Sequence, residues 1–215
     1  MKESRGYRSP HRERQAQQTR RAILEAARKL FAEQGYAATP VTQIARHAGV
    51  SVPTLYASVG TKAELARRLV EFVNDEGGVA QNDARQRQAT SAPELLRLNM
   101  HLVRELNERC GDIMRAVRSA AHTEPELAPV AAAGDAYHRD GEHEIARRLL
   151  EMKALRAGLS VEQAGAILST LASSETIDQL VLREGWSYDE VEDWLVDSLS
   201  QLLLGRRAGR RKYAQ

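Results

Sequence analysis

Apolar side chains recur at Ile23, Ala26, Ala27, Leu30 and Phe31, the i, i+3, i+4, i+7, i+8 spacing that turns one face of a helix into a core. With Gly35 as a C-terminal stop, the pattern predicts a helix from about Thr19 to Gln34. Thr39 reads as the N-cap of a short second helix, with Pro40 in its first turn, Ile44 and Ala45 turned inward and an end near Ala48. Ser51 caps a third, from Val52 to about Ser58, in which Pro53 sits where its missing N–H costs nothing. After Thr61, Leu65, Leu69, Phe72 and Val73 share one side of a fourth helix closed by Gly77 and Gly78.

Beyond these glycines VAQNDARQRQAT is polar and without sustained periodicity, and it reads as a linker. Helical patterns resume at about 91–109, 112–121, 125–156, 160–184 and 187–204, with Gly134 and Gly141 as possible kinks in the third. Ser or Thr followed three residues later by Glu or Gln marks five helix starts: Thr61/Glu64, Ser91/Glu94, Thr123/Glu126, Ser160/Gln163 and Ser187/Glu190. Alternating β-branched runs bounded by hairpin turns are absent, so the expected class is all-α. Within it, residues 1–18 read as a flexible Arg-rich arm, 19–76 as a helix-turn-helix domain, 77–206 as a second helical domain and 207–215 as a basic tail.

Charge sharpens this division. Residues 1–75 hold 13 Lys or Arg against 7 Asp or Glu, residues 76–204 hold 13 against 22, and residues 205–215 hold 5 against none. The net charges of +6, −9 and +5 add to the overall +2. Such a distribution predicts a basic N-terminal module facing a polyanion and an acidic body that does not. No apolar run approaches the roughly 20 residues of a membrane span, and the polar N-terminus lacks a signal-peptide core. Cys110, the sole cysteine, permits no internal disulfide and reads as a small buried side chain, so a cytoplasmic location is expected.

Ala45, Gly49, Val50 and Leu55 meet the demands of a helix-turn-helix: a small residue where two helices cross, a glycine for the left-handed turn, and two apolar anchors for the second helix. The third helix is too short to hold alone, so it depends on Leu55 packing on its neighbours.

The stretch TRRAILEAARKLFAEQGYAATPVTQIARHAGVSVPTLYASVGTKAELARRLVE, Thr19 to Glu71, resembles the DNA-binding domain of the tetracycline-repressor (TetR) family of bacterial regulators. The features that carry the likeness are LFAEQGY, the Ile-Ala of helix two, AGVS, TLY, and TK ahead of helix four. The resemblance implies that Thr42, Val52, Pro53 and Thr54 face base edges, with Ser58 on the same head. It also implies that Tyr56 gives its hydroxyl to a phosphate, and that Lys62 meets a phosphate at a helix N-terminus. Ala57, Ser58 and Val59 replace the aromatic or His residues common at these places. Val52 and Pro53 offer no side-chain hydrogen bond and are limited to shape and thymine methyls, so Thr42 and Thr54 remain the polar readers. Arg5, Arg8, Arg12, Arg14, Arg20 and Arg21 are candidates to follow an adjacent minor groove.

Residues 160–204 resemble the last two helices of the same family, which pair with a partner's to form a homodimer. Ile177, Val191, Trp194, Leu195, Leu199 and Leu202 are the expected interface. A two-fold dimer implies a palindromic operator in double-stranded DNA, with half-sites one turn, about 34–36 Å, apart. The family's middle helices enclose a small-molecule effector, and here Met100, His101, Arg104, Met114, Arg118, Tyr137 and Glu175 are the candidate contacts. The reading is of a regulator, most often a repressor, needing no cofactor and no membrane. An enzyme is disfavoured: His138 and His143, five apart, do not share a helix face as metal ligands, spacing places no third ligand with them and Glu142, and no phosphate loop or nucleophile elbow occurs. A sequence-indifferent DNA binder, suggested by the Arg-rich ends, is the remaining rival.

Overall fold

The computed structural model describes residues 10–76 and 79–205. Its regular elements are α1 (Pro10–Gln34), α2 (Val41–His47), α3 (Val52–Val59), α4 (Lys62–Glu76), α5 (Val79–Gln88) and α6 (Ala92–Ala121). A 3-10 turn (Pro125–Leu127) then leads into α7 (Ala128–Glu151), α8 (Val161–Leu171), α9 (Ser174–Asp178) with a π turn (Gln179–Arg183), and α10 (Tyr188–Leu203). No strand occurs among the described residues, and the fold is all-α as its periodicity implies.

The chain divides into two compact units, one of residues 10–74 with 112–132, the other of the described residues from 75 to 111 with 133–205. In the first, Ile23, Ala27, Leu30, Phe31, Ile44, Ala45, Leu55, Val59, Leu65 and Leu69 are all buried, whereas Ala26 and Phe72 of the expected faces are half-buried. In the second, Leu95, Leu96, Met100, Ile145, Leu149, Leu168, Leu195 and Leu199 belong to one continuous core.

Local chemistry explains where the helices start. Thr61 and Glu64 cap α4 reciprocally, through Thr61 N–H to Glu64 Oε2 (2.7 Å) and Glu64 N–H to Thr61 Oγ1 (3.2 Å). Ser160/Gln163 and Ser187/Glu190 form the same box at α8 and α10. At α6 Glu94 also caps from its side chain: Oε2 accepts the N–H and the hydroxyl of Thr90, and the carboxylate meets the backbone N–H of the expected Ser91 as well. Thr123 does not cap a helix but donates to the Ala120 carbonyl at the end of α6.

Four expectations of the sequence give way to the structure. Residues 10–18, assigned to a flexible arm, form the first turns of α1; they contain no helix breaker past Pro10, which is harmless at the first position. Arg5 and Arg8 and the tail from 206 onward lie outside the described residues. The supposed linker is largely α5, whose inward positions Asn82 and Gln86 are amides, so a search for apolar periodicity passes over it. Helix α6 runs unbroken through the buried Cys110 and Gly111, and its part from 112 onward clusters with the N-terminal unit. The pattern over 160–184 is split at Ala172, because Ser173 accepts the Thr176 N–H and starts a new helix.

Candidate nucleic-acid interface

Helices α1, α2 and α3 pack on one another, and the turn between α2 and α3 is set by Gly49 at φ +67°. That value lies in the left-handed region, which a residue with a Cβ enters at a cost. The turn closes with Gly49 N–H donating to the Arg46 carbonyl (3.2 Å) and Val50 N–H to the Ala45 carbonyl (3.0 Å). Ser51 Oγ then accepts the Thr54 N–H at 3.2 Å, which satisfies one of the free donors of α3. Leu55 and Val59, one turn apart, are wholly buried and hold this short helix against the scaffold. Val59, at a place where the family often has another residue type, serves as an anchor.

Opposite those anchors a polar and aromatic face is left open. Thr42 on α2 and Pro53, Thr54 and Tyr56 on α3 are exposed, with Tyr56 at 48%, while Val52 and Ser58 are half-buried. The Thr54 hydroxyl lies 2.8 Å from that of Ser51, so the exposed threonine and the cap are one hydrogen-bonded pair.

Thr39 departs from its expected role. It is fully buried, and its hydroxyl donates to the Gly35 carbonyl at 2.7 Å, tying the end of α1 to the start of α2. Pro40 takes the N-cap position without a side-chain bond. Lys62 opens α4 with its ammonium 4.1 Å from the centroid of the Tyr36 ring, a cation–π arrangement. Burial holds its pKa below the ordinary lysine range, opposed by the carboxylates of Glu124 and Glu126. Tyr36 is itself buried against Phe31, with ring centroids 5.1 Å apart, and its hydroxyl donates to Glu126 Oε1 at 3.4 Å. Burial, followed by the charge of Glu126, pushes the Tyr36 hydroxyl up.

Residues 23–69, which hold the second half of α1, all of α2 and α3, and the first half of α4, match the family model for bacterial regulatory proteins of the tetR family. The head therefore carries the N-terminal domain described by that family model. No curated protein matches it closely. Among solved structures, a putative TetR-family transcriptional regulator from Rhodococcus sp. is 18% identical with a TM-score of 0.70, covering 87% of this chain and 99% of that one. NalD, the secondary repressor of the MexAB-OprM multidrug efflux pump in Pseudomonas aeruginosa, is 21% identical with a TM-score of 0.65 and coverages of 89% and 100%. The transcriptional regulator FadR from Bacillus subtilis, in complex with stearoyl-CoA, is 17% identical with a TM-score of 0.70 and coverages of 85% and 98%. At these identities the likeness shows that the TetR fold extends beyond the matched head.

The residues expected to meet an effector are divided between the two units. Met114 and Arg118 belong to the N-terminal unit and are half-buried; Met100, His101, Arg104, Tyr137 and Glu175 belong to the other. Of these, Met100 is wholly buried in the core and Tyr137 is exposed. Arg104 is engaged by carboxylates, with Asp189 at 2.8 Å, Glu105 at 2.9 Å, Glu108 at 3.3 Å and Glu192 at 3.7 Å. His101 Nδ1 lies 3.3 Å from the same Glu192. Glu175 loses its supposed register with Leu168 and Leu171 at the Ser173 cap and is exposed in the first turn of α9.

The expected dimer stripe also divides. Ile177, Val191, Leu195 and Leu199 are buried in the chain's own core, because α10 uses that face against α8 and the π turn. Leu202 is 38% exposed and Trp194 half-buried, and the latter meets Trp186 edge to face at 6.1 Å. Leu182 and Trp186 add exposed apolar surface that the sequence reading did not select.

Glu142, weighed in the sequence only as a metal ligand, is 3% exposed. Its Oε2 accepts from Asn99 Nδ2 at 2.8 Å, and Asn99 Oδ1 accepts from Gln86 Nε2 at 3.0 Å. Its spacing from Ile145, Ala146 and Leu149 places it on the inward face of α7, a signal present in the sequence. His138 and His143 have separate surroundings: His138 Nε2 is 3.0 Å from the Ser169 carbonyl, and the His143 ring packs against Gly165.

Proposed function

We propose that this chain is a homodimeric, sequence-specific transcriptional regulator, a repressor released from a palindromic operator when a small molecule binds its second unit. The observation that carries the reading is the open face of Thr42, Pro53, Thr54 and Tyr56, held on two short helices whose other faces are buried. A helix pinned this way presents side chains to a major groove at little entropic cost. One such head reads few base pairs, and a two-fold pair reads two half-sites. The exposed Leu182, Trp186 and Leu202, with the half-buried Trp194, supply apolar surface for self-association. The repressor role of NalD and the stearoyl-CoA held by FadR support the functional class, while the effector of this chain is a separate question. An effector acts only through its different affinities for the DNA-bound and released states, with coupling typically of about 1–3 kcal/mol.

Fluorescence anisotropy of the full chain, at near-physiological salt, tests this. The duplexes are DNA flanking its own gene and a scrambled control of equal length and composition. A preference of about 10³-fold or more, with two chains per site, is expected. A monomer at micromolar concentration that binds every duplex equally, with a steep salt dependence, would overturn the reading in favour of a sequence-indifferent DNA binder.

A further inference from the structure

Glu142 is a carboxyl group in the wrong solvent. It lies one turn ahead of Ile145 and Ala146 on α7, among side chains that fill the core of the second unit. Asn99, its donor, lies between Leu95 and Val103 on the inward face of α6, and Gln86 reaches the same place from α5. Asn99 spends its acceptor on Gln86 and a donor on Glu142 Oε2; among the described residues no hydrogen bond reaches Oε1, and no basic side chain forms an ion pair with the carboxylate.

Burial pushes the Glu142 carboxyl up to about 7, against the Asn99 hydrogen bond, and no charged neighbour contributes. A buried carboxylate is ordinarily paired with a cation or kept neutral, since isolating its charge from water is costly. A chain that needed only to fill this space has cheaper choices, a leucine or a glutamine.

Access is also written into the helix. The half of α7 that precedes Glu142, residues 128–141, has no buried residue. Gly134 and Gly141 lie within it at positions where an added Cβ would meet nothing within 4 Å, so packing does not demand them. Interior glycines without a packing role weaken a helix. The two glycines thereby lower the cost of opening this part of α7.

We propose that Glu142, oriented by Asn99 and Gln86, is the anchor for an organic cation, an ammonium or guanidinium group on an apolar body, bound among α5, α6 and α7. The cation supplies the partner that the chain withholds, and Met100, Val103 and Ile145 of the same core supply apolar contact for its body. This assigns a chemical class to the effector of the proposed regulator and rests on that reading for its biological role, though not for the binding itself.

The test is calorimetric titration of the full chain, without DNA, using octylammonium, 1-octanol and octanoate as matched probes. Octylammonium is expected to bind at least tenfold more tightly than 1-octanol, and octanoate more weakly than either. Its affinity rises between pH 5.5 and 7.5, and its heat varies with the ionisation enthalpy of the buffer, because the bound cation displaces a proton from Glu142. In Glu142→Gln, which keeps shape and an amide partner for Asn99, the preference falls to within twofold and the proton release disappears. Wild-type protein that does not distinguish octylammonium from 1-octanol, or a variant that retains the distinction, overturns the assignment and leaves the three polar residues as internal packing. Adding octylammonium to the DNA-bound chain then separates the two claims. Ammonium binding without operator recognition overturns the regulator reading alone, and operator recognition without an ammonium preference overturns the site alone.

Discussion

The Lys62 ammonium lies 4.1 Å from the centroid of the Tyr36 ring, and the Tyr36 hydroxyl donates to Glu126 from the other side of the residue. A lysine that the family resemblance assigns to a DNA phosphate is therefore already positioned by an aromatic face. Lys62→Met is expected to weaken binding to all duplexes alike and to lower the slope of log affinity against log salt by about one. A salt titration of the variant against two unrelated duplexes checks it. Tyr36→Phe keeps the ring and loses only a long hydrogen bond, so unfolding in urea should show a loss of no more than about 1 kcal/mol.

At Gly49 the backbone, with φ +67°, decides the cost of change, since an added Cβ would meet nothing within 4 Å. Gly49→Ala is expected to destabilise the first unit by about 1–2 kcal/mol, and Gly49→Asn by less. Urea unfolding of both variants, followed by circular dichroism, distinguishes backbone strain from a steric clash, which would make the larger asparagine the worse of the two.

Ser51 and Thr54 share a cap and a hydroxyl pair 2.8 Å apart, yet their substitutions should behave differently. Ser51→Ala removes the acceptor for the Thr54 N–H and costs about 1 kcal/mol of helix stability, weakening binding to every sequence. Thr54→Ala should relax discrimination at one operator position, and Tyr56→Phe should weaken all sequences equally. Affinities for a set of single-base operator variants sort these outcomes; discrimination lost with Tyr56→Phe would reverse the assigned roles.

Glu142 makes stability depend on pH in a definite direction. Its pKa is about 7 in the folded chain against 4.5 as the ordinary value, so the folded state binds the extra proton. The stabilisation is complete below about pH 4.5 and is lost as pH rises through about 7. Glu142→Gln should remove this dependence, and at pH 8 should be more stable than the wild type by on the order of 3 kcal/mol. Denaturant unfolding of both proteins at pH 5 and pH 8 measures it, and equal pH dependence in the two would show that the carboxyl is ionised throughout.

Leu199 and Leu202, three residues apart on α10, should fail in different ways. Leu199 is wholly buried, and Leu199→Ala is expected to cost about 2–5 kcal/mol of stability. Leu202 is 38% exposed, and Leu202→Arg should leave the melting of the isolated chain nearly unchanged while shifting dimer towards monomer in sedimentation velocity. A dimer unaffected by Leu202→Arg would place the self-association surface elsewhere.

The N-terminal head was legible in the linear chain because its information is local. Periodicity at Ile23 to Phe31, the caps at Ser51 and Thr61, and the turn glycine at Gly49 each act over a few residues, and the structure keeps all of them. Thr39 was misread for the same reason inverted: its hydroxyl finds a carbonyl at the end of α1 instead of an N–H of α2, a choice made by how the two helices meet. In the second unit the decisive partners lie far apart in sequence. Asn99 and Glu142 are on different helices, Arg104 is shared by carboxylates of α6 and α10, and the single apolar stripe of α10 is divided between a buried half and an open one. Sequence alone determined the all-α class and the short helices from Val41 to Val59 with the turn between them, because capping and periodicity are short-range. Only the tertiary structure decided which polar groups are buried and which apolar ones are left open, because burial depends on what the rest of the chain places opposite each face.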